Sequence, residues 1–161
     1  MTAAGGTPAT TALRRAGIAF ELHAYDFDPG GEAIGLQAAA ALAIDPARLL
    51  KTLIVELDGA RLAMALLAVD RSLDLKAAAR ALGGKKAALA PVPAAERATG
   101  YVKGGISPFG QRRRLAAVVD RAAAAWPRVV VNGGRRGLQI ELASGDLARL
   151  LGAEVAPIAQ S

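Results

Sequence analysis

The 161-residue chain contains no cysteine. Disulfides, thiolate metal sites and a cysteine nucleophile are therefore excluded. Histidine occurs once, at His23, which removes multi-histidine metal sites and leaves any Ser–His–Asp triad dependent on that single ring. Aromatic residues make up only 4%, so Ala, Leu, Val and Ile must fill the interior. The longest apolar run, Leu62 to Val69, falls far short of the roughly 20 residues that span a bilayer. The N-terminus lacks the basic head and apolar stretch of a secretion signal. These absences predict a soluble, cytoplasmic protein that does not engage membranes. With 53% hydrophobic and 21% charged residues, there is enough apolar material to fold. The length suits one hydrophobic core. Residues 1–161 therefore read as a single domain, with 1–9 as a flexible N-terminus.

Charge is unevenly spread. The net charge is +6, yet residues 1–80 carry 8 basic against 9 acidic side chains, while 81–161 carry 12 against 5. A basic half favours an anionic partner through Coulomb steering and phosphate neutralisation. It is also what an Arg-rich solvated surface looks like, and charge alone leaves both readings open. The run Gln111-Arg112-Arg113-Arg114 directly follows a glycine-rich segment, which weights the first.

Periodicity predicts mixed elements. Thr10–Ala16 reads as a short helix ended by Gly17, and Phe20–Tyr25 alternates as a half-buried strand. Asp28-Pro29-Gly30-Gly31 is a turn, and a helix follows over about 35–42. Asp45-Pro46 starts a short helix. Strands at 51–57 and 62–69 flank Asp58-Gly59, a two-residue hairpin signal. Helical spacing returns over 73–82, and Pro91–Thr99 is helix or loop. Strands are expected near 115–119, 129–131 and 138–142, with a helical piece at 121–126 and a last helix, capped by Ser144, running to about Leu151. The irregular mixture, without βαβ alternation, predicts an α+β fold: a mixed, barrel-like sheet flanked by helices.

No glycine pair fits a phosphate-binding fingerprint. The segment Gly104-Gly105-Ile106-Ser107-Pro108 differs from simple turns. Two glycines let backbone approach a ligand, and Pro108 biases Ser107 to an extended conformation. Such a loop aims consecutive N–H groups at one oxygen, forming an oxyanion or anion site without charged side chains. Lys51 begins an otherwise apolar strand: it faces solvent, or it is a partly desolvated cation lining a pocket. His23 and Tyr25 share a strand face with Glu21, and His23 reads equally as a surface residue or as a general base. Ser107 has no evident base partner, so a serine nucleophile is poorly supported.

Lys51-Thr52-Leu53, Thr99-Gly100-Tyr101, the stretch Gly104 to Gln111 and Gly133-Gly134-Arg135-Arg136-Gly137-Leu138-Gln139-Ile140-Glu141-Leu142 closely resemble the YbaK/EbsC family. These are free-standing aminoacyl-tRNA deacylases related to the editing domain of bacterial prolyl-tRNA synthetase. The resemblance extends from about Thr7 to Ala159. It implies a mixed β-barrel-like core and hydrolysis of mischarged Cys-tRNA(Pro), with no cofactor or metal. The family's pocket lysine falls on Lys51, its Gly–x–x–x–Pro loop on Gly104, Gly105, Ile106, Ser107 and Pro108, and its pocket tyrosine on Tyr25. Family members often carry Asp where this chain has Gln139, which replaces an acceptor-only carboxylate by a neutral amide.

On this resemblance, the loop amides hold the substrate carbonyl, Lys51 fixes ribose or phosphate oxygens, and the cysteinyl thiol attacks its own ester. The protein then contributes orientation rather than reactive groups. Lys85, Lys86, Arg112, Arg113 and Arg114 are the candidates for binding the acceptor stem of the aminoacylated tRNA, with prolyl-tRNA synthetase as a possible further partner. Two alternatives stay open: an Ala-tRNA(Pro) deacylase of the same fold, and a non-catalytic module that binds RNA ends.

Overall fold

The structure is a computed structural model and describes residues 6–31 and 33–161. Residues 1–5 of the expected flexible N-terminus lie outside the described residues. Residues 7–9 depart from that expectation. Thr7 caps α1 (Pro8–Arg15): its hydroxyl accepts the Thr10 amide, the Thr10 hydroxyl accepts the Thr7 amide, and Pro8 takes the first helical position. Ala9 is fully buried, and the Thr7 hydroxyl donates to the Gly133 carbonyl at 2.6 Å. The start of the chain is thereby pinned to the far half of the sequence.

The elements then run β1 (Glu21–Ala24), α2 (Ile34–Leu42), a 3-10 turn at Pro46–Arg48, β2 (Leu50–Leu57) and β3 (Arg61–Ala68). Next come α3 (Leu75–Ala81), β4 (Ala87–Leu89), α4 (Val92–Thr99), β5 (Ala116–Asp120) and α5 (Arg121–Ala124). β6 (Arg128–Asn132), β7 (Leu138–Ala143), α6 (Ser144–Leu151) and β8 (Glu154–Ala156) complete the fold. Most agree with the periodicity. The hairpin between β2 and β3 turns over three residues rather than two, because Leu57 pairs with Arg61; Asp58 and Gly59 have φ of 54° and 66°. Ser144 is not the cap of α6 but its first residue, and its hydroxyl donates to the Pro127 carbonyl.

The strands form two open sheets, ordered β1-β7-β6 and β4-β2-β3-β5-β8. The α+β expectation holds, but the described residues form no closed barrel. Among the described residues, one parallel bridge, between Leu49 and Val130, pairs backbone across the two sheets. On β6 and β7, Val129, Val131, Ile140 and Leu142 point into the largest core cluster with Leu50, Ile54, Met64 and Val119. On the other face of that sheet stand Asn132, Gln139, Glu141 and His23, as the cross-strand register requires. β2 carries β4 only from Val55 to Leu57. Between the Leu49 bridge and that pairing, no strand among the described residues pairs with this edge of β2, the Ala90 amide donates to the Ile54 carbonyl at its end, and a cleft lies along it.

Candidate functional site

The cleft has a volume of about 390 Å³, within the ordinary range of small-molecule sites. Leu49 to Ile54 form one side. Ile34 and Gly35 of α2, Val69, and Leu89 with Val92 at the β4–α4 junction supply apolar walls. Lys103, Gly104, Ile106, Asn132 and Gln139 close the remaining side. α2 packs so tightly here that a Cβ on Gly35 would lie 2.5 Å from Val69 Cγ1.

Lys51 therefore lines a pocket. Burial lowers its pKa below the usual 10.5, and the nearby Asp70 carboxylate partly restores it. Gly104 and Ile106 line the same cleft. The loop is packed backbone to backbone: a Cβ on Gly105 would sit 2.9 Å from Arg135 Cα, and Gly104, at φ 87°, has Ile34 Cδ1 in the Cβ position. The Gly105 amide donates to the Val102 carbonyl, and Pro108 has no N–H. Among the described residues the amides of Gly104, Ile106 and Ser107 donate to nothing in the protein. Of the five expected loop positions, Gly104 and Ile106 line the cleft.

Ser107 and Pro108 lie off that wall. Ser107 is fully buried; its hydroxyl accepts the Phe109 amide and its carbonyl accepts Gln111 Nε2. Its side chain supports the loop from within. Pro108 lines a smaller hollow of about 230 Å³ on the loop's other side, with Phe109, Gln111, Arg113 and Arg114. Tyr101 anchors the same loop, its hydroxyl donating to the Phe109 carbonyl at 2.6 Å, and burial pushes its pKa to about 12. Gly110 closes onto Pro8, whose carbonyl occupies the space of a Cβ.

Gln139 is 4% exposed on β7, and Tyr25 lies beside it. Burial raises the Tyr25 pKa, against the opposing influence of the Gln139 side chain and Gly137 backbone. The Tyr25 and Thr52 hydroxyls are buried without a partner in hydrogen-bond geometry among the described residues. His23 is taken up elsewhere. Its Nε2 donates to Glu141 at 2.8 Å, and Arg48 and Arg128 donate to the same carboxylate at 3.1 Å. His23 thus belongs to an ion cluster and not to the cleft wall. Although Glu21, His23 and Glu141 bring ligand atoms together, the two guanidiniums already occupy the charge of Glu141.

The five basic residues expected to bind RNA are dispersed. Arg113 and Arg114 flank the hollow behind the loop, and Arg112 packs over Gly100. Lys85 and Lys86 donate their amides to Asp58 at the other end of β2, about 23 Å from Lys51 at strand rise. Lys103, Arg136, Asn132 and Asp70 were missed as individual residues. Arg135-Arg136 stood inside the quoted glycine-rich stretch, which was the available signal; Asn132 and Asp70 had none.

A two-sheet α+β fold in which a half-buried lysine and a glycine-rich loop line one mostly apolar cleft has the form of a small-molecule site. The chain belongs to the aminoacyl-tRNA editing domain family, whose model matches residues 30–150. It is 30% identical, over 135 residues, to an Enterococcus faecalis protein assigned as the Cys-tRNA(Pro)/Cys-tRNA(Cys) deacylase EbsC, covering 83% of this chain and 82% of that one. A crystal structure of a protein assigned as a trans-editing enzyme for prolyl-tRNA synthetase superposes with a TM-score of 0.83 at 22% identity, covering 100% of both chains. A crystal structure of a hypothetical protein, 25% identical, matches at 0.85 over 96% of this chain and 100% of the other. The protein is an aminoacyl-tRNA hydrolase, and the non-catalytic alternative gives way. Among the described residues no helix is long and apolar enough to cross a membrane.

Proposed function

We propose that the protein edits mischarged tRNA in trans, with Cys-tRNA(Pro) as its substrate. The observation that supports this reading is that Lys51, Gly104 and Ile106 line one mostly apolar cleft, and that the Gly104 and Ile106 amides donate to nothing among the described residues. The amides hold the ester carbonyl as it gains negative charge; losing one such donor costs about 3–4 kcal/mol in the transition state. Lys51 grips the ribose or phosphate oxygens of the terminal adenosine. The cysteinyl thiol then attacks its own carbonyl carbon, its proton passes to the ribose oxygen as that C–O bond breaks, and water opens the resulting cyclic thioester to free cysteine. Apolar walls from Ile34, Val69, Leu89 and Val92 suit a small side chain. Such walls separate Cys from Ala by only about 1–3 kcal/mol, so Ala-tRNA(Pro) is the competitor to test. The neutral Gln139 leaves Asp70 as the carboxylate acting on Lys51.

Lys103 at the cleft and Arg113 and Arg114 behind the loop offer phosphate contacts on either side of the reacting ester. Lys85, Lys86 and Arg112 would serve a longer RNA footprint. Selection of tRNA(Pro) falls to prolyl-tRNA synthetase, the proposed partner. The test is a deacylation panel with Cys-, Ala-, Ser- and Pro-charged tRNA(Pro), run with wild type and Lys51→Ala. Cys-tRNA(Pro) should be cleaved fastest, and Lys51→Ala should lose most of that rate while keeping its fold. Preference for Ala-tRNA(Pro) would replace the substrate, and full activity in the variant would remove Lys51 from the mechanism.

A further inference from the structure

Arg136 lies in the turn between β6 and β7 and reaches across to the 104–110 loop. Its Nε and Nη2 both donate to the Lys103 carbonyl, at 3.0 and 2.7 Å. Its guanidinium lies over the Phe27 ring, 5.5 Å from the centroid. Two bonds from one planar fork fix a carbonyl in direction as well as position, and stacking removes freedom left to the fork.

The Lys103 carbonyl and the Gly104 N–H belong to the same trans peptide and point opposite ways. Holding the carbonyl from behind therefore aims the amide. Among the described residues that amide has no acceptor in the protein, and Gly104 lines the cleft. The next peptide is fixed separately: the Gly104 carbonyl accepts Asn132 Nδ2 at 3.2 Å and the Gly105 amide donates to Val102. A cationic donor on a carbonyl also polarises its peptide and strengthens the N–H at the other end.

We propose that Arg136, stacked on Phe27, is a positioning residue that aims and polarises the Gly104 amide toward the substrate carbonyl. The proposal rests on the deacylase reading of the cleft. An exposed arginine beside an RNA site has a competing use, direct contact with a phosphate. The two differ in kinetics. A phosphate contact shows in KM and in the salt dependence of binding, whereas an aimed amide shows in kcat.

The experiment compares wild type, Arg136→Ala, Arg136→Lys and Phe27→Leu on the aminoacyl-tRNA that wild type cleaves best. Arg136→Ala should lower kcat about 10- to 100-fold, leaving KM and its salt slope unchanged. Arg136→Lys, with one donor in place of the fork, should recover part of the loss, and Phe27→Leu should lose less than Arg136→Ala. The Gly104 amide cross-peak in a ¹⁵N–¹H spectrum should move in Arg136→Ala while the thermal midpoint holds. Unchanged kcat overturns the proposal, as does a loss confined to KM with a shallower salt slope. Wild type inactive on every charged tRNA would instead defeat the parent reading, a separate outcome.

Discussion

Glu141 gives the most quantitative handle on the fold that carries the cleft. Burial works against its ionisation, yet contacts from His23, Arg128 and Arg48 hold its carboxyl at about 2, against an ordinary 4.5. That difference corresponds to roughly 3 kcal/mol of stability at neutral pH. The folded pKa is the depressed one, so as acid is added the unfolded chain binds the proton first. The contribution is whole above about pH 4.5 and drains away as pH falls toward 2. Glu141→Gln keeps the side-chain shape and one acceptor but leaves Arg48 and Arg128 without their shared counter-charge. It should cost about 2–3 kcal/mol at pH 7, a fall of about 5–10 °C in Tm for a chain this long. Urea titrations of both proteins at pH 7 and pH 3 provide the assay. The gap between them should shrink to about 1 kcal/mol at pH 3. Comparing at each pH cancels other carboxylates, including Asp58, whose pKa is lowered by the Lys86 and Lys85 amides. Equal stability at pH 7, or a gap unchanged at pH 3, would refute the assignment of this cluster as a stabilising hub.

Lys51→Met should abolish most deacylation while holding or raising Tm, because it removes a partly desolvated charge from the cleft; a marked fall in Tm would mean that Lys51 is structural. The enzymatic rate, corrected for spontaneous ester hydrolysis, should decline as alkali removes the ammonium, with a midpoint below 10.5. Lys51→Arg should lose that alkaline limb if charge alone is needed. Gly110→Ala places a Cβ at φ 69° against the Pro8 carbonyl and should cost more than about 2 kcal/mol by chemical denaturation. Thr7→Val removes both the α1 cap and the bond to Gly133; a loss of about 1–2 kcal/mol is expected, and no loss would return residues 7–9 to the status of a loose end.

The long elements were legible because their signals are local. Asp58-Gly59 marks a hairpin whose left-handed turn the backbone adopts, and alternation in β7 separates Ile140 and Leu142 from Gln139 and Glu141. β4 and β8, of three residues each, were not read; their pairing comes from neighbours distant in sequence, Val55–Leu57 and Val118–Asp120. That the two sheets stay open was not legible, for a related reason. Closure depends on how strands from separate sheets pair, and among the described residues one bridge, Leu49 with Val130, pairs across them. At the site, Lys51 and the glycine loop could be chosen from the residues that surround them in the chain. Asp70 could not, since its influence on Lys51 arises only once β2 and β3 lie side by side.

The same distinction explains why α1 belongs to the functional argument. On the proposed reading the donors are main-chain amides, which cannot be tuned by exchanging side chains at the donor positions; their geometry must be imposed from outside the loop. Three such supports converge here. Thr7 ties α1 to Gly133, Gly110 closes the loop onto Pro8, and the Tyr101 hydroxyl fastens Phe109. Small displacements of an oriented donor are costly when orientation is the main source of rate. Variants in these supports should therefore lower kcat by more than their loss of folding stability implies at assay temperature, where nearly all molecules remain folded. A strict parallel between activity and folded fraction across Thr7→Val, Gly110→Ala and Tyr101→Phe would show instead that the supports stabilise the chain without aiming the loop.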